Sequence, residues 1–416
     1  MSIIKESIAN IKPTRIRYSE IIVAVITTFL YLFPFKIKAL PLSPLVLLLL
    51  ISICYFIVAK KITFTSAIFD YIKYSAAISI YLIFTSLLND SYDFTHYFGY
   101  YVTCIAFPII ALFLVRIHRL EFRTTLILIV ACVLLQCVIA LLLFFIPSFQ
   151  ELVLKKVDYS YSGEAYEIGF KTRLFGLGTE FFGMGAILGL TLLCLIWLIG
   201  FCHDKFIAFL LTLFFWFIFI VGLFASRSIL IAGLIALSYS ILNRTSYFYL
   251  FSLILVVPSA LLLIEYSNSS GMENYFRFAF EFIYNYNEKG AVSTDSSNEL
   301  QLMYRNIDLV KTWFIGDSRF SMPDGTYYGS TDAGFMRQIL SYGLIGTFMT
   351  ISVYLWSFRV AVKKIPESYS LFFLIFIFYL VMNIKGMMFF ASAADKALVL
   401  ILVSIYAGKT SKREWR

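Results

Sequence analysis

Twelve apolar stretches divide this chain, and the polar gap between the ninth and the tenth, from Tyr266 to about Gly334, is far longer than any other. A membrane-spanning helix needs roughly 17 to 25 mostly apolar residues. Stretches centred on Val25, Leu48, Ile80, Pro108, Leu134, Leu190, Trp216, Leu234, Leu255, Phe348, Ile375 and Leu400 fit that length, those near Leu234 and Leu400 being the shortest. The chain is 60% hydrophobic and 14% charged with mean hydropathy +0.85, a composition that excludes an ordinary soluble domain. The expectation is an all-α, polytopic integral membrane protein of about twelve transmembrane helices. Residues 1–416 form one membrane domain, with 266–334 as a loop or cap between helices nine and ten.

Lysine and arginine gather on the cytoplasmic side of a membrane protein. With the N-terminus cytoplasmic, the cytoplasmic segments collect 18 of the 34 basic residues although they are the shorter ones. Both termini are therefore expected inside, and the long loop on the opposite side, which in a bacterium is the periplasm. The net charge of +9 follows from this topology, so nucleic acid is not an expected partner. Met1 to Ser19 lacks a small-residue cleavage site and reads as an uncleaved signal anchor. All six cysteines fall within or at the ends of apolar stretches, which supports neither disulfides nor a zinc site. His96 is expected outside, His118 and His203 inside, so these residues predict no metal centre, and no cofactor is expected.

Within the long loop, Met272, Phe276, Phe280 and Ile283 recur at helical spacing beside a polar row of Glu273, Arg277 and Glu281. This predicts an aromatic-rich helix lying on the outer membrane surface. Ser296 to Glu299 reads as a capping box opening a second helix. Leu300, Met303, Ile307, Val310 and Phe314 line one face, Arg305 the other, and Gly316 ends it. Such a cap could hold sugars against the bundle.

The runs TWFIGDSRF (312–320) and STDAGFMRQILSYGLIG (330–346), with an arginine-bearing loop helix among about twelve spans, resemble O-antigen polymerases of the Wzy type, within the broader polymerase and ligase superfamily. TRLFGLGTEFFGMGAILGL (172–190) and FASRSILIAGL (224–234) add to the resemblance. It implies a glycosyltransferase of the bacterial inner membrane, acting at the periplasmic face. Donor and acceptor would both be undecaprenyl-diphosphate-linked oligosaccharides, and the growing chain would pass to a new repeat unit with release of undecaprenyl diphosphate. Membrane lipid and a chain-length regulator protein are the other implied partners.

Such a leaving group gathers negative charge as the glycosidic bond breaks, and arginine suits it because its planar fork chelates phosphate oxygens. The candidates are Arg173, Arg227, Arg305, Arg319 and Arg337, all expected near the periplasmic side. Arg227 and Arg337 stand at edges of apolar helices, where a charge is costly unless it is paired, functional or snorkelling to headgroups. An acceptor hydroxyl must lose a proton, and Asp332, just before a helix, leads the candidates for that base. Its other reading is a helix N-cap, shared with Ser330 and Thr331. Glu180, Asp317 and Asp90, the last with Asp93 nearby, are secondary candidates that could equally be solvated loop charges.

Gly176, Gly178, Gly183, Gly185 and Gly189 could offer backbone N–H groups to phosphate or, through the Gly185 to Gly189 spacing, let helices pack closely. Three alternatives stay open. An O-antigen ligase would be expected to carry a histidine where this chain reads STDAGF. A flippase or transporter would be expected to show internal repeats. A capsule polymerase differs only in its sugar.

Overall fold

The computed structural model describes residues 18–40, 42–59, 64–91, 93–158, 173–178, 181–243, 258–259, 262, 273–290, 294–305, 312–322, 326–390 and 392–408. The described chain is helical apart from one two-stranded ribbon and an isolated bridge. In order the elements are α1 Tyr18–Leu32, β1 Lys36–Ile37, α2 Pro44–Val58, α3 Ser66–Leu88, α4 Phe94–Ile117, α5 Phe122–Phe145, α6 Pro147–Lys156 and β2 Val157–Asp158. They continue with α7 Phe181–Gly200, α8 Lys205–Ala225, α9 Ile229–Asn243, α10 Glu273–Ala279, α11 Glu281–Lys289, α12 Asp295–Arg305, α13 Gly334–Lys364, α14 Tyr369–Lys385 and α15 Ala393–Ala407.

Among the described residues six helices are long and apolar enough to cross a membrane: Ser66–Leu88, Phe122–Phe145, Phe182–Gly200, Lys205–Ala225, Gly334–Lys364 and Pro366–Lys385. Eleven of the twelve apolar stretches fall on helices, several of them shorter than a straight crossing, and the stretch around Leu255 lies outside the described residues. The first seventeen residues, read as an anchor, also lie outside them.

Two helices form the centre. α7 is apolar all round, and its residues from Ala186 to Trp197 are essentially inaccessible, as expected of a helix surrounded by others. Glycines let its neighbours approach: a β-carbon at Gly185 would stand 2.6 Å from Ser226 Oγ, and one at Gly189 2.4 Å from the Phe378 ring. The packing reading of this glycine run therefore describes both positions. α15 is equally enclosed, with Ala397, Leu398, Leu400 and Ile401 at 0% exposure. The turn before it is buried as well, and a relay holds it in place. Tyr354 donates to Asp395 Oδ1 (2.7 Å) and accepts from the Phe390 amide (3.0 Å).

α13 is broken at Gly343 (φ 66°, ψ −173°). The break frees backbone groups, and the segment 313–318 takes them up. Leu344 N donates to Trp313 O (2.9 Å), Ile345 N to Phe314 O (3.1 Å), Asp317 N to Leu340 O (2.6 Å) and Ser318 N to Ser341 O (3.0 Å). This is how irregular backbone becomes tolerable inside a membrane protein, since its polar groups are satisfied by other protein. The crossing is so close that a β-carbon at Gly343 would stand 2.2 Å from Phe314 O, and one at Gly316 2.5 Å from Gly343 N.

Three expectations for the loop are corrected. α12 is observed from Asp295 to Arg305, but the chain at 313–315 is a turn and Phe314 is 69% exposed, because its backbone is committed to the α13 break. Ile307 and Val310 lie outside the described residues. The capping box sits two residues earlier, between Thr294 and Ser297, each side chain accepting the other's amide (2.9 and 3.1 Å). The aromatic segment is two helices broken at Phe280, and its polar row does not pair within itself. Arg277 bonds Glu288 (2.9 Å), while Glu281 bonds Arg227. Phe276 and Phe280 meet Phe224 edge-on, and Tyr275 meets Phe144, so this pair lies over the ends of α8 and α5. Met272 falls outside the described residues.

Candidate functional site

The loops of one end of the bundle converge. Asp93, at the start of α4, accepts the amides of Phe320 and Ser321 (both 2.9 Å) through Oδ2. Asn89 Nδ2 donates to Gly316 O (3.0 Å), and the Ser91 hydroxyl to Ser318 O (2.5 Å). α12 docks through Leu300, Met303 and Tyr304 on Ala333 and on Met336 and Leu340 of α13, and the Tyr304 hydroxyl donates to Ile384 O (2.8 Å). Every described candidate residue lies on this end.

Arg227 stands in the turn between α8 and α9, where Ser226 and Ser228 bond each other (2.6 Å) against Gly185. Its Nη1 donates to Glu281 Oε2, with both side chains largely buried (13% and 15% exposed). Arg173 is held by its neighbour, whose amide donates to Phe224 O (3.0 Å). Both guanidinium carbons lie over the Phe278 ring, Arg173 at 4.3 Å and Arg227 at 4.7 Å from its centroid. Burial and then the repulsion of Arg227 hold the Arg173 guanidinium below its ordinary pKa, against the attraction of Glu281. Two like charges thus share one ring and the field of one carboxylate, an arrangement that favours the approach of an anion.

Asp332 is not the helix cap. The N-cap of α13 is Ala333, whose amide bonds Thr331 Oγ1 (3.2 Å), so the Asp332 carboxylate is free of that duty. Although exposed, it is desolvated by the surrounding protein, which raises its pKa. Its own backbone N–H, Arg337 and Lys385 oppose the shift.

Arg337, one turn into α13, is 8% exposed and lies between two rings, 3.8 Å from the Phe320 centroid and 3.7 Å from that of Tyr327. Its Nε and Nη2 are buried with no hydrogen-bond partner among the described residues. Arg319 is exposed, 6.0 Å from the Tyr328 ring.

Three other candidates occupy different places. Asp317 is buried and structural: Oδ1 accepts from Thr312 N (3.1 Å) and Thr312 Oγ1 (2.9 Å), and Oδ2 from the Tyr328 hydroxyl (3.1 Å). Asp90 is exposed at the end of α3 with φ 47°. Arg305 is exposed at the end of α12 and bonds no described residue. Glu180 lies outside the described residues.

The structure thus gathers Arg173, Arg227 and Asp332 around Lys385 at this end of the bundle, the mouth, sets Arg337 near Asp332, and gives Arg305 and Asp90 no contact with them among the described residues. Sequence reasoning missed Phe278, Lys385 and the role of Glu281. Lys385 was findable, since it ends an apolar helix on the loop side, the criterion that selected Arg227. Among the described residues, counted by formal charge, Arg173, Arg227, Lys385 and Arg337 outnumber Glu281 and Asp332 by two. No family model matches the chain, and no curated protein matches it either.

Proposed function

We propose that this chain is a glycosyltransferase of about twelve transmembrane helices. It joins undecaprenyl-diphosphate-linked oligosaccharide repeats into O-antigen polysaccharide at the periplasmic face of the bacterial inner membrane. Both termini are cytoplasmic, and the 266–334 loop caps the active face. The observation that carries this reading is the arginine pair over Phe278 at the mouth that holds Asp332. A diphosphate diester, with one negative charge on each phosphate, matches the local excess of positive charge.

In the reaction, the bond from the anomeric carbon to the diphosphate oxygen breaks, and its electron pair leaves with undecaprenyl diphosphate. Arg173 and Arg227 stabilise that charge, and a single donor aimed at a developing oxyanion is worth about 10²–10³ in rate. The acceptor hydroxyl bonds to the anomeric carbon and gives its proton to Asp332, whose raised pKa makes it a stronger base than an ordinary carboxylate. Arg337 beside it keeps the free carboxylate ionised. The surface glycan of a deletion strain tests the reading. Core bearing one repeat supports a polymerase. Bare core indicates a ligase, and bare core with repeats trapped inside the cell a flippase.

A further inference from the structure

α14 is apolar through Met382 and ends at Lys385, directly before Gly386. The Lys385 ammonium is half-buried and makes no hydrogen bond or ion pair with a described residue. A lysine serving only its helix end would reach the last carbonyls of α14, and this one bonds none of them.

Two close contacts fix where Lys385 stands. A β-carbon at Gly334 would be 2.5 Å from both Asn383 O and Gly386 O, so residues 383–386 lie against the start of α13, two residues after Asp332. On the other side a β-carbon at Gly386 would be 2.9 Å from the Phe182 ring. Phe182 is three residues before Gly185, which touches Ser226 and Ser228 on either side of Arg227. Lys385 is therefore bracketed by Asp332 and Arg227. The charges that face it are Arg227 and Arg173, which repel it, and Asp332 and Glu281, which attract it. Among the described residues neither carboxylate is within ion-pair distance of the ammonium.

We propose that Lys385 is the third cation of a diphosphate cradle, meeting the leaving group between the arginine pair and Asp332. This rests on the glycosyl-transfer reading above and adds a point charge to the two planar forks. Lys385 would bind the phosphate nearer the reacting sugar, because it is the cation of the three that borders Asp332.

The test titrates purified protein in neutral detergent with inorganic pyrophosphate, using inorganic phosphate as comparator. K385Q is expected to weaken pyrophosphate binding about tenfold to a hundredfold, the worth of one charge-assisted hydrogen bond, and K385R to restore most of it. K385M, which keeps the aliphatic stem packed, replaces the Gln variant if that one fails to purify. Unchanged pyrophosphate binding in the lysine variants, with R173Q and R227Q weakened, overturns the role of Lys385 and leaves the function standing. If the arginine variants also bind normally, the cradle and the proposed leaving group fall together. Phosphatidylglycerol in mixed micelles is the third arm. Loss of that lipid without loss of pyrophosphate marks an ordinary headgroup contact and overturns the proposal.

Discussion

Replacing Gly343 by alanine should unlock the crossing between α13 and the 313–318 segment. The residue has φ 66° and ψ −173°, a region essentially reserved for glycine, and holding another residue there costs about 1–3 kcal/mol. The added carbon would also stand 2.2 Å from Phe314 O, so that segment must retreat. Four hydrogen bonds between the two segments depend on its position. Losing two of them at about 0.5–1.5 kcal/mol each adds about 1–3 kcal/mol. The expected destabilisation is about 2–6 kcal/mol, beyond the usual effect of a surface change. The assay is unfolding of purified protein in mixed micelles of rising sodium dodecyl sulfate, followed by tryptophan fluorescence. Gly183→Ala is the control, since a β-carbon there meets nothing within 4 Å. G343A unfolding within about 0.5 kcal/mol of G183A would refute the crossing as a source of stability.

Glu281→Gln leaves Arg227 and Arg173 without their shared carboxylate, and breaking a buried pair costs about 3–5 kcal/mol; a thermal midpoint equal to wild type would refute the pair. Arg227→Lys keeps charge but loses the fork, so glycan polymerisation should fall about 10²-fold or more at equal membrane abundance, and long chains at normal yield would remove Arg227 from the reaction. Asp332 has a raised pKa, so activity should fall as pH drops through a value above the ordinary 3.8, and Asp332→Asn should abolish activity instead of moving that limb. Its stability sign is opposite. A carboxylate raised on folding favours the folded state most below its unfolded pKa, and that contribution is lost as pH rises through the folded one. Asp332→Asn should therefore melt no lower than wild type at neutral pH, and a lower midpoint would restore a structural role. A reporter at Asp295 should be active only if translocated, and cytoplasmic activity there would invert the topology.

Helix existence was legible because apolar length is a one-dimensional property, and Val25, Leu134 and Ile375 each fall in a helix where hydropathy put one. The Gly343 break was not, since SYGLIG reads as a continuous apolar helix until the 313–318 segment is known to cross it. The same limit applies to Asp317 and Asp332, which look alike in sequence. One is saturated by Thr312 and Tyr328, the other released because Ala333 takes the cap position. Residue type did not separate Arg305 from Arg227: the one ends a loop helix with no bonded partner among the described residues, the other bonds Glu281 at an apolar helix edge. Phe278 carries no charge, and only the distances to Arg173 and Arg227 reveal it.

α15 is short for a membrane crossing. Fifteen residues rise about 22 Å, against roughly 30 Å of hydrocarbon. Its far end is tied to the end of α13 by the Lys364 ammonium, which donates to Tyr406 O (2.9 Å). The missing turn and a half therefore falls at the loop end, where the buried residues Met388 and Phe389 lead into the helix. On the glycosyl-transfer reading proposed above, a lipid that carries its cargo on a diphosphate would stay anchored by its tail and enter from the side, its phosphates meeting the cations at this shortened end. The mouth would then act as a dock cut to the waterline, from which long-tailed cargo need not be lifted out of the bilayer.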